Sequence, residues 1–479
     1  MYYKVNENMI VRREYFGGIV FDVDEYRNAA YFVVDGKAID ILEMIESGLS
    51  EEKIKSTMRK IHGEEGASEM TEIIKQALDN KIVRTETSAK QHRFNFEEFM
   101  ENRERISKLK RLNAPIIVSL NPTLKCNQLC DFCYVNVDWK GVYQDRLSLD
   151  DWKNLIDQLV KYKIPLIDIV GGEPFVWKDM VNLLEYIKTK PINYIMSTNG
   201  TLITEELAKR LSKLDRKRFY LNVSLEDFDE ERHDIVVKKK GAYKALMRSL
   251  GYLKENNVNF GINTVVNERN LDRIEKLYEL LKSMGVPQFT VSFFHAEYDY
   301  LPDTNKEIGI SKFYKVYQRI NELNEKDNKK MLLSKEGPFL WLCSDKMKIT
   351  LSETPFVYLN EAKLPPKDPF GLDFCECQMG KSRLDVLPDG SVFPCILLTN
   401  RSEFLVGKYP RNDIHELWHN KAMERISSYL PIKKEPCSNC KFLEACKGGC
   451  FAYMLNKHDK KGYPDARCPI VQGYYNGQK

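Results

Sequence analysis

The chain has 479 residues, of which 43% are hydrophobic and 30% charged, with a net charge of +4. That composition describes a globular protein of two or three domains, and so small a net charge argues against a nucleic-acid binder. No stretch approaches the length of a membrane span, and the first residues lack the apolar core of a signal peptide. Twelve cysteines in clusters argue for metal in an oxygen-protected cytoplasm rather than for disulfides.

Residues 1–86 form a first unit. Segments 11–15, 18–22 and 30–34 read as short strands, and Ile39, Ile41, Leu42 and Ile45 fall on one helical face. Ser50 and Ser68 stand where N-caps would start two further helices, one carrying Ile54, Met58 and Ile61, the other Met70, Ile73, Ile74 and Leu78. Three strands followed by three helices resemble the winged-helix-like, PqqD-like recognition elements of enzymes that modify ribosomally made peptides. The resemblance implies capture of a leader peptide as an added strand, between the third strand and the last helix. Residues 87–114 read as a linker with a helix over 97–112, ended by Pro115.

From residue 115 to 310 strands and helices alternate. Strands are expected at 116–120, 166–170, 194–197, 220–225, 260–266 and 289–294, and Ser148 with Asp151 forms a capping box for the first helix. Six such units imply an α/β fold with a parallel sheet, ligands lying at the carboxyl ends of its strands. The first strand leads into Cys126, Cys130 and Cys133, spaced Cys-x3-Cys-x2-Cys. Three thiolates on one loop hold three corners of a 4Fe–4S cube, and with no fourth cysteine nearby one iron stays open to a substrate or cofactor. A zinc loop or three buried thiols are weaker readings, because zinc knuckles come as Cys-x2-Cys pairs with a fourth ligand.

With Tyr134 after it, this loop resembles the cluster loop of radical S-adenosylmethionine (SAM) enzymes. The resemblance implies a partial (β/α)6 TIM-like barrel whose cluster binds SAM and, on one-electron reduction, cleaves it to methionine and a 5′-deoxyadenosyl radical. Gly171-Gly172-Glu173-Pro174 after the second strand matches the family's motif for the SAM amino group, with Glu173 accepting from it. Ser197 and Asn199 at the end of the third strand, and Ser224 at the end of the fourth, are the positions that contact SAM by the same likeness. Glu226-Asp227 stands where relatives often have Asp-Gly. Lys238-Lys239-Lys240 reads as a solvated turn. His295 ends the last strand and faces where substrate would sit, and no two histidines show ligand spacing.

Residues 311–370 read as a bridging region containing Cys343, taken as a core thiol. Residues 371–479 carry Cys375, then Cys377-x12-Gly390-x4-Cys395, then Cys437-x2-Cys440-x5-Cys446-x3-Cys450 and Cys468. This pattern resembles the SPASM extension of radical SAM peptide maturases, which implies two auxiliary 4Fe–4S clusters besides the SAM-binding one. By that pattern Cys437, Cys440, Cys446 and Cys468 hold the distal cluster, and Cys377, Cys395 and Cys450 the proximal one. Either Cys375 completes the proximal set or an iron there stays free for a substrate thiolate.

Together the parts resemble maturases that join a cysteine sulfur to a residue carbon (sactipeptide and ranthipeptide synthases). The expected partners are a precursor peptide with a leader and a reductant such as flavodoxin or ferredoxin, with no nucleic acid and no membrane. Two alternatives stand beside this: a carbon–carbon crosslinking or other peptide-oxidising maturase, and a non-catalytic zinc-bound peptide-binding scaffold.

Overall fold

In the computed structural model, residues 1–24, 31–88, 94–135, 143–294, 308–336, 377–440 and 443–476 are described. The first unit contains β1 (Tyr2–Val5), β2 (Met9–Glu14), β3 (Gly17–Asp22), β4 (Tyr31–Val34), α1 (Gly36–Glu46), α2 (Glu51–Asp79) and β5 (Val83–Glu86). β2, β3 and β4 form an antiparallel sheet in that order, and β1 pairs with β5. Asp35 and Ser50 cap α1 and α2, whose Ile41, Leu42, Ile45, Ile54, Met58 and Ile74 share one core with Val11 and Val20 of the sheet.

Two features depart from the sequence expectation. Ser68 is no N-cap: it lies inside α2, where its Oγ donates to the Glu65 carbonyl at 2.7 Å. The helix breaks instead at Gly63 (φ 70°, ψ −167°), a conformation that glycine adopts at little cost. The β1–β5 pair was not anticipated, since four residues on each side carry too little alternation to read.

Buried charge docks this unit onto the second one. Arg12 donates to Glu14 at 2.7 Å, to the Pro115 carbonyl at 2.8 Å and to the Lys163 carbonyl at 3.2 Å. Glu14 accepts from the Asn113 N–H, and Lys163 Nζ returns to the Val11 carbonyl and to Glu46. Three hydrogen bonds from Nε and Nη1 and the adjacent Glu14 carboxylate offset the burial of this guanidinium, whose Nη2 has no hydrogen-bond partner among the described residues. Helix α3 (Phe96–Ser107), capped by Asn95, leads to the second unit.

There, β6 (Ile117–Leu120), β7 (Leu166–Ile169), β8 (Asn193–Thr198), β9 (Phe219–Ser224), β10 (Phe260–Val266), β11 (Gln288–Phe293) and β12 (Leu332–Glu336) run parallel in sequence order. The βα alternation therefore continues past residue 310, through helix Ile310–Lys326, and adds a seventh strand to the expected six. An eighth parallel strand, β13 (Arg383–Val386), pairs with the free edge of β6, and β14 (Ser391–Phe393) and β15 (Gly407–Lys408) extend it antiparallel. β12 and β15 are the two ends of this open, partial barrel.

Register separates two faces. Val118, Ile167 and Tyr194 align on one, as do Leu120, Ile169, Met196 and Leu221. Amphipathic helices such as Leu149–Lys161, which buries Trp152, Leu155, Ile156 and Leu159, cover this apolar face. Many of the alternate positions are polar and bond laterally: Ser119 to Asp168, Ser292 to Asn263 at 2.6 Å, and Thr290 with Ser334 at 2.6 Å. A polar concave face suits a ligand-holding barrel rather than a sealed core. Pro115 and Lys163 precede β6 and β7, so the first unit docks at the end of the barrel opposite the cysteine loop.

Candidate functional site

The loop after β6 brings Cys126, Cys130 and Cys133 together, each half-buried. Cys126 Sγ accepts from the Gln128 N–H at 3.4 Å, and Cys133 N–H donates to the Cys130 carbonyl at 3.2 Å. Burial pushes the Cys130 thiol well up, and the charges of Cys133, Glu226 and Cys126 push it further. Three converging thiols, the central one disfavoured as a thiolate by its burial and its neighbours, are poised for a cationic iron centre, which reverses that penalty by binding the thiolates. The donor set therefore fits an iron–sulfur group.

Neighbouring elements hold the loop. Leu129 and Asp131 donate their N–H groups to the Val237 and Val236 carbonyls at 3.1 and 3.0 Å. Asp131 also pairs with Lys238 and Arg269, each at 2.6 Å. Burial works against its charged form, yet the two cations hold its carboxyl below the usual range. Lys238 thus anchors the loop, a role that its place in a lysine run does not disclose.

Gly171, Gly172, Glu173 and Pro174 follow β7 against this loop. A Cβ on Gly171 would strike the Thr123 carbonyl, and one on Gly172 those of Leu124 and Lys125. The close approach that requires glycine here is to the chain leading into Cys126, sealed by Gly172 N–H to Thr123 and Glu173 N–H to Lys125 at 3.0 and 2.9 Å. Glu173 is 1% exposed and accepts from Phe175 N–H, Thr198 Oγ1 and Asn199 N–H at 3.1, 2.7 and 2.7 Å. Burial raises its pKa, and these three donors oppose the rise. The motif thereby clamps the end of β8 to the cysteine loop.

Asn199 completes the clamp. Its Nδ2 reaches Asn127 Oδ1 at 2.8 Å and Cys126 Sγ at 3.9 Å, while its Oδ1 accepts from the Thr201 N–H at 3.0 Å. It is at once the turn residue and a contact of the first cysteine. Ser197 and Ser224 are half-exposed on the polar face at the same end of the barrel. Also on that face, the buried Asn222 Oδ1 and Gln288 Oε1 have no hydrogen-bond partner among the described residues.

Glu226 was not singled out in sequence as a site residue. It is 3% exposed, its Oε2 accepts from the Val265 N–H at 2.9 Å, and burial pushes its pKa up to about 8.

The C-terminal cysteines fall into two groups. Cys437, Cys440, Cys446 and Cys468 line one pocket together with Leu443 and Val471. Burial, then the charges of Cys468 and Cys440, pushes the Cys437 thiol up to about 12. This four-thiol cavity fits an iron–sulfur group. Cys377 receives the backbone N–H of Phe451, the neighbour of Cys450, and Cys450 Sγ accepts from Tyr453 N–H at 3.4 Å. β13 and β14 pair Asp385 with Phe393, and two further steps in that register set Cys395 across from Arg383. Gly390, at φ 84°, makes the turn between them. Cys375, Cys343 and His295 lie outside the described residues.

Residues 120–281 match the radical SAM superfamily, and residues 375–441 match the SPASM iron–sulfur cluster-binding domain. The Fe-coproporphyrin III synthase of Methanosarcina barkeri is 27% identical over 75% of this chain and 90% of its own. The antilisterial bacteriocin subtilosin biosynthesis protein AlbA of Bacillus subtilis is 21% identical over 72% of this chain and 69% of its own. Streptococcus suis SuiB, in its crystal structure bound to precursor peptide SuiA, superposes with a TM-score of 0.78 at 19% identity, covering 98% of this chain and 100% of that one. The barrel is a radical SAM fold with a SPASM domain at its C-terminus, and its cofactors are SAM and more than one 4Fe–4S cluster. Among the described residues no helix is long and apolar enough to cross a membrane.

Proposed function

We propose that this chain is a maturase of a ribosomally made peptide that joins a cysteine sulfur to a residue carbon. Its parts are a leader-recognition element (1–86), a linker (87–114), the barrel (115–336, past the expected boundary at 310), a bridging region up to 370 and the SPASM domain (371–479). Bound at Cys126, Cys130 and Cys133, the cluster and SAM supply a 5′-deoxyadenosyl radical able to take a hydrogen atom from carbon.

The chain's own residues prepare that chemistry. Glu173 and Asn199 fix the cysteine loop against β8, and the one acceptor position left on the Glu173 carboxylate is available to the SAM amino group. Ser197 and Ser224 present hydroxyls to SAM from the strand ends. Cys437, Cys440, Cys446 and Cys468 hold the distal auxiliary cluster; Cys377, Cys395 and Cys450 hold the proximal one, either with Cys375 as fourth ligand or with an iron left free for a substrate thiolate. In the net reaction the peptide exchanges one C–H and one S–H bond for a C–S bond: one hydrogen atom leaves in 5′-deoxyadenosine, and the other leaves as a proton to solvent with its electron passing to an iron–sulfur cluster.

A peptide substrate is favoured by the outer edge of β4. That strand pairs only with β3 among the described residues, and Val33 on it is 45% exposed. An open strand edge on a rigidly docked module is the physical basis of strand addition by a peptide. Likeness to a coproporphyrin synthase supports a second reading, a tetrapyrrole substrate, although that relative aligns with only 75% of the chain.

Mass spectrometry of a candidate precursor after reaction and thiol alkylation tests the proposal. A thioether predicts a product two hydrogens lighter with one alkylatable thiol fewer. A product lighter by the same mass with every thiol intact assigns carbon–carbon coupling instead.

A further inference from the structure

The outward side of the cysteine loop carries a patch that the chemistry above leaves unused. Leu129, between Cys126 and Cys130, is 54% exposed, and Ile235 at the end of helix Glu230–Val236 is 59% exposed. They are neighbours because the peptide groups flanking Cys130 bond to Val236 and Val237, so one strand-like spacing, about 5 Å, separates the two segments. Cations lie close by in the chain. Lys238 is half-exposed while bound to Asp131. Arg232, Lys239 and Lys240 are exposed and have no ion-pair partner among the described residues. Of the nearby acids, Glu230 is paired with Lys244 and Asp234 accepts the Gly241 and Tyr243 N–H groups, leaving Glu231 as the uncommitted one.

We propose that this patch docks a protein electron carrier with an acidic surface. The inference rests on the function proposed above, in which an electron from outside the chain must first reduce the cluster before SAM is cleaved. The patch is the solvent side of the segment that contains Cys130, so a carrier seated there lies next to the loop. An exposed apolar pair with exposed cations close by in the chain has the layout of a transient interface: a small desolvated centre for contact and charge beside it for encounter rate. In the transfer, a flavodoxin hydroquinone loses one electron and becomes the semiquinone, and the electron passes to the iron–sulfur group at the loop. No bond forms or breaks at the patch.

Stopped-flow reduction of the reconstituted holoenzyme by flavodoxin hydroquinone, beside dithionite as a small reductant, tests this. K239E/K240E should slow reduction by flavodoxin roughly tenfold at low ionic strength and flatten its salt dependence. Ile235→Ser should weaken flavodoxin binding without changing the salt dependence. Both variants should be reduced by dithionite as the unmodified enzyme is, with the same electron paramagnetic resonance spectrum. Equal flavodoxin rates and salt dependence for K239E/K240E and the unmodified enzyme would overturn the docking site. So would a loss of peptide turnover driven by dithionite in that variant, which would assign the patch to substrate. Failure of dithionite to reduce even the unmodified protein would instead overturn the reading beneath it.

Discussion

Arg383 of β13 reaches past β6 and donates to Asp168 of β7 at 3.0 Å, tying the first strand of the C-terminal domain to the barrel's concave face. Asp385, fully buried, shares the same guanidinium at 3.2 Å, and Ser119 adds a hydroxyl to Asp168. Burial raises the Asp168 carboxyl and the Arg383 charge opposes it. Arg383→Met leaves two buried carboxylates without their cation and should cost roughly 3 kcal/mol of stability, read as a lower urea midpoint. Because β13 also sets the position of Cys395, the same variant should take up less iron at the auxiliary sites.

The anchor at Asp131 should matter for cluster assembly. Asp131→Ala removes the acceptor of both Lys238 and Arg269 and leaves the Cys130–Cys133 side of the loop with its backbone bonds to Val236 and Val237. Alkylation of Cys126, Cys130 and Cys133 in the metal-free protein should become several-fold faster, and cluster yield on reconstitution should fall.

Glu226 and His233 give opposite pH dependences from adjacent positions, Glu226 N–H donating to His233 Nδ1 at 3.3 Å. Glu226 has a folded pKa of about 8 against an ordinary 4.5. Its neutral form therefore favours folding fully below pH 4.5, and that contribution is lost as pH rises through 8. Burial lowers His233 from 6.5 to about 4, so its contribution is full above pH 6.5 and is lost as pH falls toward 4. Glu226→Gln should flatten the decline of the urea midpoint between pH 5 and 8 and leave the acid-side decline in place.

On the proposed function, leader recognition at the docked end of the barrel and chemistry at the other would impose a span on the peptide. The seven residues of β10 rise roughly 23 Å, so an extended spacer needs at least about seven residues between the strand-adding segment and the modified residue. Precursors shortened below that should bind with unchanged affinity and lose modification, measured by titration and by mass spectrometry.

Loss of one distal cysteine should remove one cluster. Cys468→Ala opens the four-thiol cavity beside Val471 and should lower iron content by about four atoms per chain, with SAM cleavage measured separately.

Much of this site is legible in sequence because its signals are local. The Cys126–Cys133 spacing, the glycine pair and the capping box at Ser148 each lie within a few residues, and strand periodicity places them at one end of the sheet. What escaped is non-local. β13 pairs with β6 across some 265 positions, as Asn121 to Val386 shows, and no periodicity reports that. Lys238 and Glu226 acquire their roles from Asp131 and Val265, which fold next to them. Gly63 against Ser68 was a contest between two punctuation signals, won by the residue free to take a positive φ.

The central claim is most directly tested by quantifying 5′-deoxyadenosine from the anaerobically reconstituted enzyme with SAM and dithionite, with and without its precursor peptide. The account predicts 5′-deoxyadenosine in step with a peptide two hydrogens lighter, and far less without peptide. No 5′-deoxyadenosine with the peptide present, or cleavage coupled only to a coproporphyrin, would contradict it.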